Sequence, residues 1–99
     1  MQHLGSRIAG VFELKLAGRL TFADAPQFPG IIGRVGLEGD DWRIDLSELT
    51  YIDSTGMSLF VHIYDAARTA AVSVVICNAN GTVDETMRRA RFHSLFEFR

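Results

Sequence analysis

The sequence predicts an α/β domain with a largely parallel sheet. Segments in which every second residue is apolar, a pattern typical of strands, alternate with segments whose apolar residues recur at helical spacing. A chain that alternates strands and helices returns to its sheet through right-handed crossovers, which place consecutive strands parallel. The length of 99 residues suits one domain and leaves no room for two, so we expect a single domain over residues 1–99.

Four segments predict strands. The first, VFELKLAG, has apolar side chains at alternate positions from Phe12 to Leu16 and ends at Gly18. Ile8 either extends this strand or lies in a short edge strand of its own. The second, WRIDLS, alternates in the same way and is followed by a predicted turn at ELTYID. VSVVIC, rich in β-branched residues, is typical of a buried strand, and SLFEF predicts a short last strand.

Three helices are predicted between these strands. The first is short or irregular, with Thr21 or Asp24 at its start and a regular part over residues 27–36, because a Pro-Gly pair interrupts it. The second occupies residues 56–69. The third begins at residues 82–85, where TVDE has the pattern of a capping box.

The second helix has a wider apolar arc than packing on one sheet requires. Its sheet-facing residues begin at Gly56 and recur at helical spacing, while Met57, Val61 and Tyr64 flank that face on one side. Two interpretations are open. These three residues either pack against a neighbouring helix, or form a surface for a partner protein or for a second copy of the chain.

The composition argues against several functional classes. Hydrophobic residues make up 47% and charged residues 22%, and the net charge of −2 does not favour a nucleic-acid partner. We interpret Arg88, Arg89 and Arg91 as a solvated helix face, and Cys77 as a buried small apolar residue. No signal-peptide pattern is seen, and no apolar run approaches the roughly 20 residues of a membrane helix. We therefore expect a cytoplasmic domain without direct membrane insertion, whether complete or part of a longer chain.

The segment IDSTGM places Ser54 and Thr55 directly after Asp53, at the start of the second helix. A serine nucleophile needs a histidine within hydrogen-bond reach, but His62 lies about two turns further along the helix and His3 lies in a predicted untethered tail. Capping is a second role, since Asp53, Ser54 or Thr55 can accept a hydrogen bond from a first-turn amide. Phosphorylation is a third. A phosphate on Ser54 would add roughly −1.5 to −2 charges where a helix tolerates an anion, and would repel a partner docked nearby.

Metal and cofactor sites lack a motif. His62 and Asp65 share one stripe of the second helix, but no third ligand is evident. The glycines between residues 30 and 39 fit neither a Walker loop nor a dinucleotide fingerprint. We expect no metal ion and no cofactor.

Three stretches together resemble the STAS domain, the family of sulfate transporter and anti-sigma factor antagonist domains: LKLAGRLTFADAPQF, WRIDLSELTYIDSTGMSLF and VSVVICNANGTVDETMRRARFHSLFEF. The most specific part is a hydrophobic strand ending in DLS, followed after a few residues by IDSTGM at the opening of a helix. The resemblance covers nearly the whole chain. It implies a small STAS-like α/β domain, with a mixed, mostly parallel sheet of four to five strands and three to four helices.

The resemblance also implies a function, that of a non-enzymatic signalling module. In bacterial antagonists of this family, the serine directly after the motif's Asp is phosphorylated by a kinase that is itself an anti-sigma factor. The unphosphorylated form binds that kinase and frees a sigma factor, and a phosphatase resets the switch. Carried over by motif, Ser54 is the phosphoacceptor, Thr55 is the alternative, and Asp53, Gly56 and Met57 belong to the partner surface.

One position departs from the family pattern. After LAGRL the family often has an Asp that contributes to an acidic patch, whereas this sequence has Thr21, with Asp24 three residues on. We include Thr21, Asp24, Val61 and Tyr64 in the predicted partner surface. The alternative function is that of a transporter module, either linked to a sulfate permease or serving as an accessory subunit of a lipid ABC transporter.

Overall fold

The computed structural model describes all residues from 1 to 99 and confirms the α/β class. Five strands form one mixed sheet in the order β1-β2-β3-β4-β5, in which only the β1–β2 pair is antiparallel. The strands are β1 (Gln2–Ile8), β2 (Val11–Leu20), β3 (Asp41–Ile52), β4 (Val74–Cys77) and β5 (Glu97–Phe98). The α-helices are α1 (Phe28–Ile32), α2 (Ser54–Ala70) and α3 (Gly81–Arg89), and 3₁₀ segments occupy Phe22–Gln27 and Phe92–Ser94.

The helices pack on one face of the sheet. Alternate side chains of β2 and β3, such as Leu14 and Ile44, are fully buried, and 21 buried residues form one continuous cluster with the helices. The opposite face of the sheet carries polar side chains, among them Lys15, which pairs with Glu48 at 3.4 Å. A two-layer arrangement therefore has a single core, between the sheet and the helices.

The N-terminal segment is a full strand, so the prediction that His3 lies in an untethered tail is wrong. β1 pairs with β2 along its whole length, and Ala9 and Gly10 join them with φ values of 52° and 81°. Positive φ at both positions suits a two-residue hairpin turn, whose twist matches that of the flanking strands. All seven residues of β1 are exposed, so the strand has no buried face that could appear as hydrophobic alternation.

β3 continues to Ile52, through all of ELTYID except Asp53, so the turn predicted there is wrong. The buried positions change from every second residue up to Leu46 to every third residue, at Leu49 and Ile52. The register between β2 and β3 shifts twice over this stretch, the second time at Gly18, whose φ is 85°. Such irregularities re-aim the side chains, and they carry β2 past its predicted end to Leu20.

The first and third helices begin and end differently from the prediction. α1 spans only Phe28–Ile32, because the residues before it form a 3₁₀ segment capped by Thr21. α3 begins at Gly81 with Asn80 as its N-cap residue, and no side chain caps it. The capping box predicted at 82–85 is therefore wrong, since Thr82 lies inside the helix.

Two interpretations of single residues are confirmed. Cys77 is buried and free, and the arginines at the end of α3 are exposed, with Arg88 paired to Asp84 at 2.9 Å. No helix of the chain combines the length and the apolar character that crossing a bilayer requires.

Candidate functional site

Asp53 joins the end of β3 to the start of α2. Its backbone is extended, with φ −102° and ψ −176°, and its Oδ1 accepts a hydrogen bond from the amide of Gly56 at 2.8 Å. Asp53 is therefore the N-cap residue, and Ser54 and Thr55 are the first two residues of the helix. Of the three residues that could cap α2, the structure selects Asp53.

The second carboxylate oxygen of Asp53 holds a neighbouring segment. Oδ2 accepts a hydrogen bond from the amide of Phe22 at 3.0 Å, and the Asp53 amide donates to the carbonyl of Leu20 at 3.1 Å. A hydroxyl side chain has one oxygen and an Asn side chain has one acceptor, so only a carboxylate satisfies both amides in this way. Asp53 thereby ties the segment after β2 to the start of α2.

Gly56 lets α2 approach the sheet closely. The residue is buried, and a Cβ added to it would lie 2.7 Å from the carbonyl oxygen of Leu20 and 2.9 Å from Cγ1 of Ile52. Both distances are below 3.0 Å, a separation that Cβ atoms essentially never show, so the oxygen of Leu20 and the carbon of Ile52 would both overlap the added atom. The DSTG sequence therefore combines a two-sided cap with a helix–sheet contact that only glycine makes without displacing its neighbours.

Ser54 is the exposed hydroxyl of this turn. Thr55 is half-buried, and its carbonyl accepts a hydrogen bond from the hydroxyl of Ser58 at 2.6 Å. The first turn of a helix has amides without intrahelical partners, so Ser54 lies where a negative charge is tolerated. No hydrogen bond joins its hydroxyl to a histidine, and His62 is exposed two turns further on. In the whole chain, no three His, Cys, Asp or Glu side chains are grouped so as to hold a metal ion.

An apolar groove opens beside Ser54, between α2 and the end of α3. Met57 and Val61 line it from α2, and Ala90 lines it from the other side. The groove has a volume of about 610 Å³, and Val61 remains 40% exposed. Met57 and Val61 thus face the neighbouring helix, as one interpretation predicted, and still leave uncovered apolar surface next to the DSTG turn.

Tyr64 lies outside this groove. Its ring packs edge-to-face on Phe96, with 5.7 Å between the centroids, and the guanidinium of Arg68 lies 5.7 Å from its centroid. Tyr64 instead lines a smaller pocket together with Leu95. The predicted strip of Met57, Val61 and Tyr64 is therefore divided between two surfaces.

Phe22 is the residue near this site that sequence reasoning missed. Its side chain is 73% exposed, although its amide is bonded to Asp53. Phe22 follows the cap residue Thr21 in a 3₁₀ segment, where neither a helical nor a strand period applies. The one available signal was a large apolar residue directly after a predicted cap. Phe22 adds a second uncovered apolar side chain beside the DSTG turn.

Residues 6–99 match the profile of the STAS domain. The chain belongs to the STAS domain family. No curated protein sequence gives a significant match to this STAS domain.

Solved structures share the fold of this STAS domain at low sequence identity. An anti-sigma factor antagonist from Mycobacterium paratuberculosis has 20% identity and a TM-score of 0.79, over 98% of this chain and 83% of that chain. Bacillus SpoIIAA in its phosphorylated form has 14% identity and a TM-score of 0.75, over 99% and 91%. A sulfate transporter family protein from Wolinella succinogenes has 17% identity and a TM-score of 0.77, over 92% and 78%. Antagonists and transporter proteins therefore share this fold.

Thr21 and Asp24 cap the 3₁₀ segment of this STAS domain. The Oγ1 of Thr21 accepts from the amide of Ala23, and the Oδ2 of Asp24 accepts from the amide of Thr21 at 2.8 Å. Asp24 is only 6% exposed, and its Oδ1 lies 2.9 Å from the ammonium of Met1. Burial raises the pKa of Asp24, but the hydrogen bonds from Met1 and Thr21 outweigh it and leave the pKa below its ordinary value. The carboxylate of Asp24 is therefore engaged within the fold by Met1 and Thr21.

Proposed function

We propose that this STAS domain is a protein-binding switch of the anti-sigma factor antagonist type. In its unmodified form it binds a kinase or anti-sigma factor in the cytoplasm, and phosphorylation of Ser54 releases that partner until a phosphatase removes the phosphate. The domain performs no catalysis of its own. The observation that carries the proposal is an exposed serine on the first turn of α2, next to an apolar groove in which Val61 is 40% exposed.

The position of Ser54 supports a switch that leaves the fold intact. Because Ser54 is exposed and its helix begins with free amides, a phosphate can be added without disturbing the core. The oxygens of Asp53 point to the amides of Gly56 and Phe22, which offset part of its charge next to the phosphate. SpoIIAA, which has the same fold, exists in a phosphorylated form, and this analogy supports the proposal.

The position of the groove beside Ser54 supports the proposal that phosphorylation weakens the binding of a partner. A partner that covers Met57 and Val61 must remove water from that surface, and an added group of roughly −1.5 to −2 charges at its edge opposes this removal. Phe22 and Thr21 extend the proposed partner surface on the other side of Asp53. Thr55 is the less favourable acceptor because it is half-buried.

The test compares wild-type protein with Ser54→Asp and Ser54→Ala in a pull-down, followed by identification of the retained proteins. Ser6→Asp is the matched control, since it adds the same charge at an exposed serine of β1. Wild type, Ser54→Ala and Ser6→Asp should retain a kinase or anti-sigma factor that Ser54→Asp loses. Incubation with that kinase and ATP should add one phosphate at Ser54, as measured by mass spectrometry.

Two results would reject the proposal. One is unchanged retention of every partner by Ser54→Asp together with no modification of Ser54 or Thr55 by candidate kinases. The other is retention of transporter subunits alone, which would replace the switch by the transporter-module alternative.

A further inference from the structure

A cavity lies between β1 and α1, at the amino ends of β2 and β3. Its volume is about 360 Å³, which is within the range of small-molecule sites. Four apolar side chains line it, Phe12, Leu14, Ile31 and Trp42, and each is at most 5% exposed. Ser54 follows the carboxyl end of β3, so this cavity and the groove of the proposed switch lie at opposite ends of that strand.

Two glycines shape this cavity. A Cβ added to Gly5 would lie 2.4 Å from Cζ of Phe12, so glycine at this position of β1 makes room for the phenyl ring. A Cβ added to Gly30 would meet no atom within 4 Å, although Gly30 lines the cavity from α1. The rings of Phe12 and Trp42, with centroids 4.6 Å apart, form the buried floor of the cavity, and the empty space beside Gly30 lies at its exposed rim.

The charged and titratable side chains of the cavity are basic. The guanidinium of Arg34 lies 4.6 Å from the centroid of the Phe12 ring and takes part in no ion pair. His3 and Gln27 approach each other at the rim, with 2.9 Å between Nδ1 and Oε1. No Asp or Glu lines the cavity. A negatively charged ligand in this cavity would therefore find five unpaired N–H donors on Arg34. The nearby carboxylates, Glu38 and Asp40, line the adjoining cavity on the other side of Arg34, and Asp40 is paired with Arg7.

We infer that this cavity binds a small organic carboxylate with an aromatic or aliphatic body. The body lies against Phe12 and Trp42, where its burial supplies affinity, and the carboxylate meets the planar guanidinium of Arg34 in a two-point hydrogen bond. The ligand class follows from the combination of an apolar wall with a single unpaired cation at its edge.

The test uses 4-phenylbutyrate as the probe and 4-phenylbutan-1-ol as its neutral match. Each is titrated into ¹⁵N-labelled protein while the amide signals of Gly5, Gly30 and Arg34 are followed by NMR. The carboxylate should shift these signals in a saturable way, and the alcohol should bind at least tenfold more weakly. Arg34→Gln should weaken binding of the carboxylate to the level of the alcohol. Arg19→Gln is the matched control, because the guanidinium of Arg19 also stacks on an aromatic ring, 4.1 Å from the centroid of Tyr51. This variant should bind the carboxylate as well as the wild type does.

A second variant tests the position of the body of the ligand. Gly30→Leu places a side chain in the open space and should abolish binding of both probes, with the smaller Gly30→Ala as its replacement if the leucine variant does not fold. The inference is overturned if 4-phenylbutyrate causes no saturable shift at about 10 mM, where even a millimolar ligand would be mostly bound. It is equally overturned if the alcohol binds as well as the acid, or if Arg34→Gln binds like wild type.

Discussion

Gly56→Ala tests the close contact that sets the position of α2, and with it the exposure of Ser54. The added methyl group would lie 2.7 Å from the carbonyl oxygen of Leu20 and 2.8 Å from its Cγ. It would also lie 2.9 Å from Cγ1 of Ile52. All three atoms belong to the ends of β2 and β3, and the carbonyl oxygen cannot rotate away as a side chain could. Either α2 or the strand ends must move.

The expected loss of stability follows from two opposing effects. Extra atoms in a packed site typically cost about 1–3 kcal/mol, and three contacts this short place Gly56→Ala at the upper end of that range. Alanine recovers at most about 1 kcal/mol because it favours a helix more than glycine does. The net change is a decrease of about 2 kcal/mol in the free energy of unfolding. For a domain of this size, that corresponds to a decrease in Tm of roughly 8–16 °C.

Thermal unfolding followed by circular dichroism measures this effect, with Gly30→Ala as the matched control. Gly30 is also in a helix, but a Cβ there would meet no atom within 4 Å, so its Tm should stay unchanged or rise. Equal Tm values for the two variants, or a Gly56→Ala variant as stable as wild type, would show that the close contact at Gly56 does not constrain α2.

Three further predictions concern Asp53, Phe22 and Asp45. Asp53→Ala removes the acceptor of two amides and should lower the free energy of unfolding by about 2 kcal/mol in urea denaturation. Asp53→Asn keeps one acceptor, so its free energy of unfolding should fall by about half as much as that of Asp53→Ala. Equal decreases in the two variants would contradict the two-sided cap. Phe22→Ser should change the free energy of unfolding by less than about 0.5 kcal/mol, because the ring is exposed, yet weaken partner binding at least tenfold by surface plasmon resonance. Wild-type affinity would remove Phe22 from the partner surface. Burial raises the pKa of Asp45, but hydrogen bonds from the Ser47 amide and the Asn78 side chain outweigh it and depress the pKa. The ionised Asp45 therefore stabilises the fold at a pH above its unfolded-state pKa of about 3.9. This stabilisation is lost as the pH falls through the lower pKa that Asp45 has in the folded state. The Tm of the wild type should therefore decrease at acidic pH, and it should decrease less in Asp45→Asn. An equal decrease in both proteins would contradict the role of Asp45 in this pH dependence.

The elements that could be predicted from sequence each bury one regular set of side chains. β2 shows the two-residue period from Phe12 to Leu16, and α2 shows the helical period from Gly56 to Ala67. β1 left no such pattern because it is an exposed edge strand held by backbone hydrogen bonds to β2. The end of β3 was missed because the register shifts against β2 replace the strand period with a spacing of three.

The local sequence is enough to predict a hydroxyl pair at the start of a helix, after a strand and before an apolar helical face. The neighbours that those residues contact depend on the tertiary fold. Asp53 bonds to Phe22, 31 positions away, and the buried carboxylate of Asp24 bonds to the amino terminus, 23 positions away. Tyr64 packs on Phe96 and leaves the groove beside Ser54. A local pattern records which face of an element is apolar, whereas the strand register and the position of α2 on the sheet decide what covers that face.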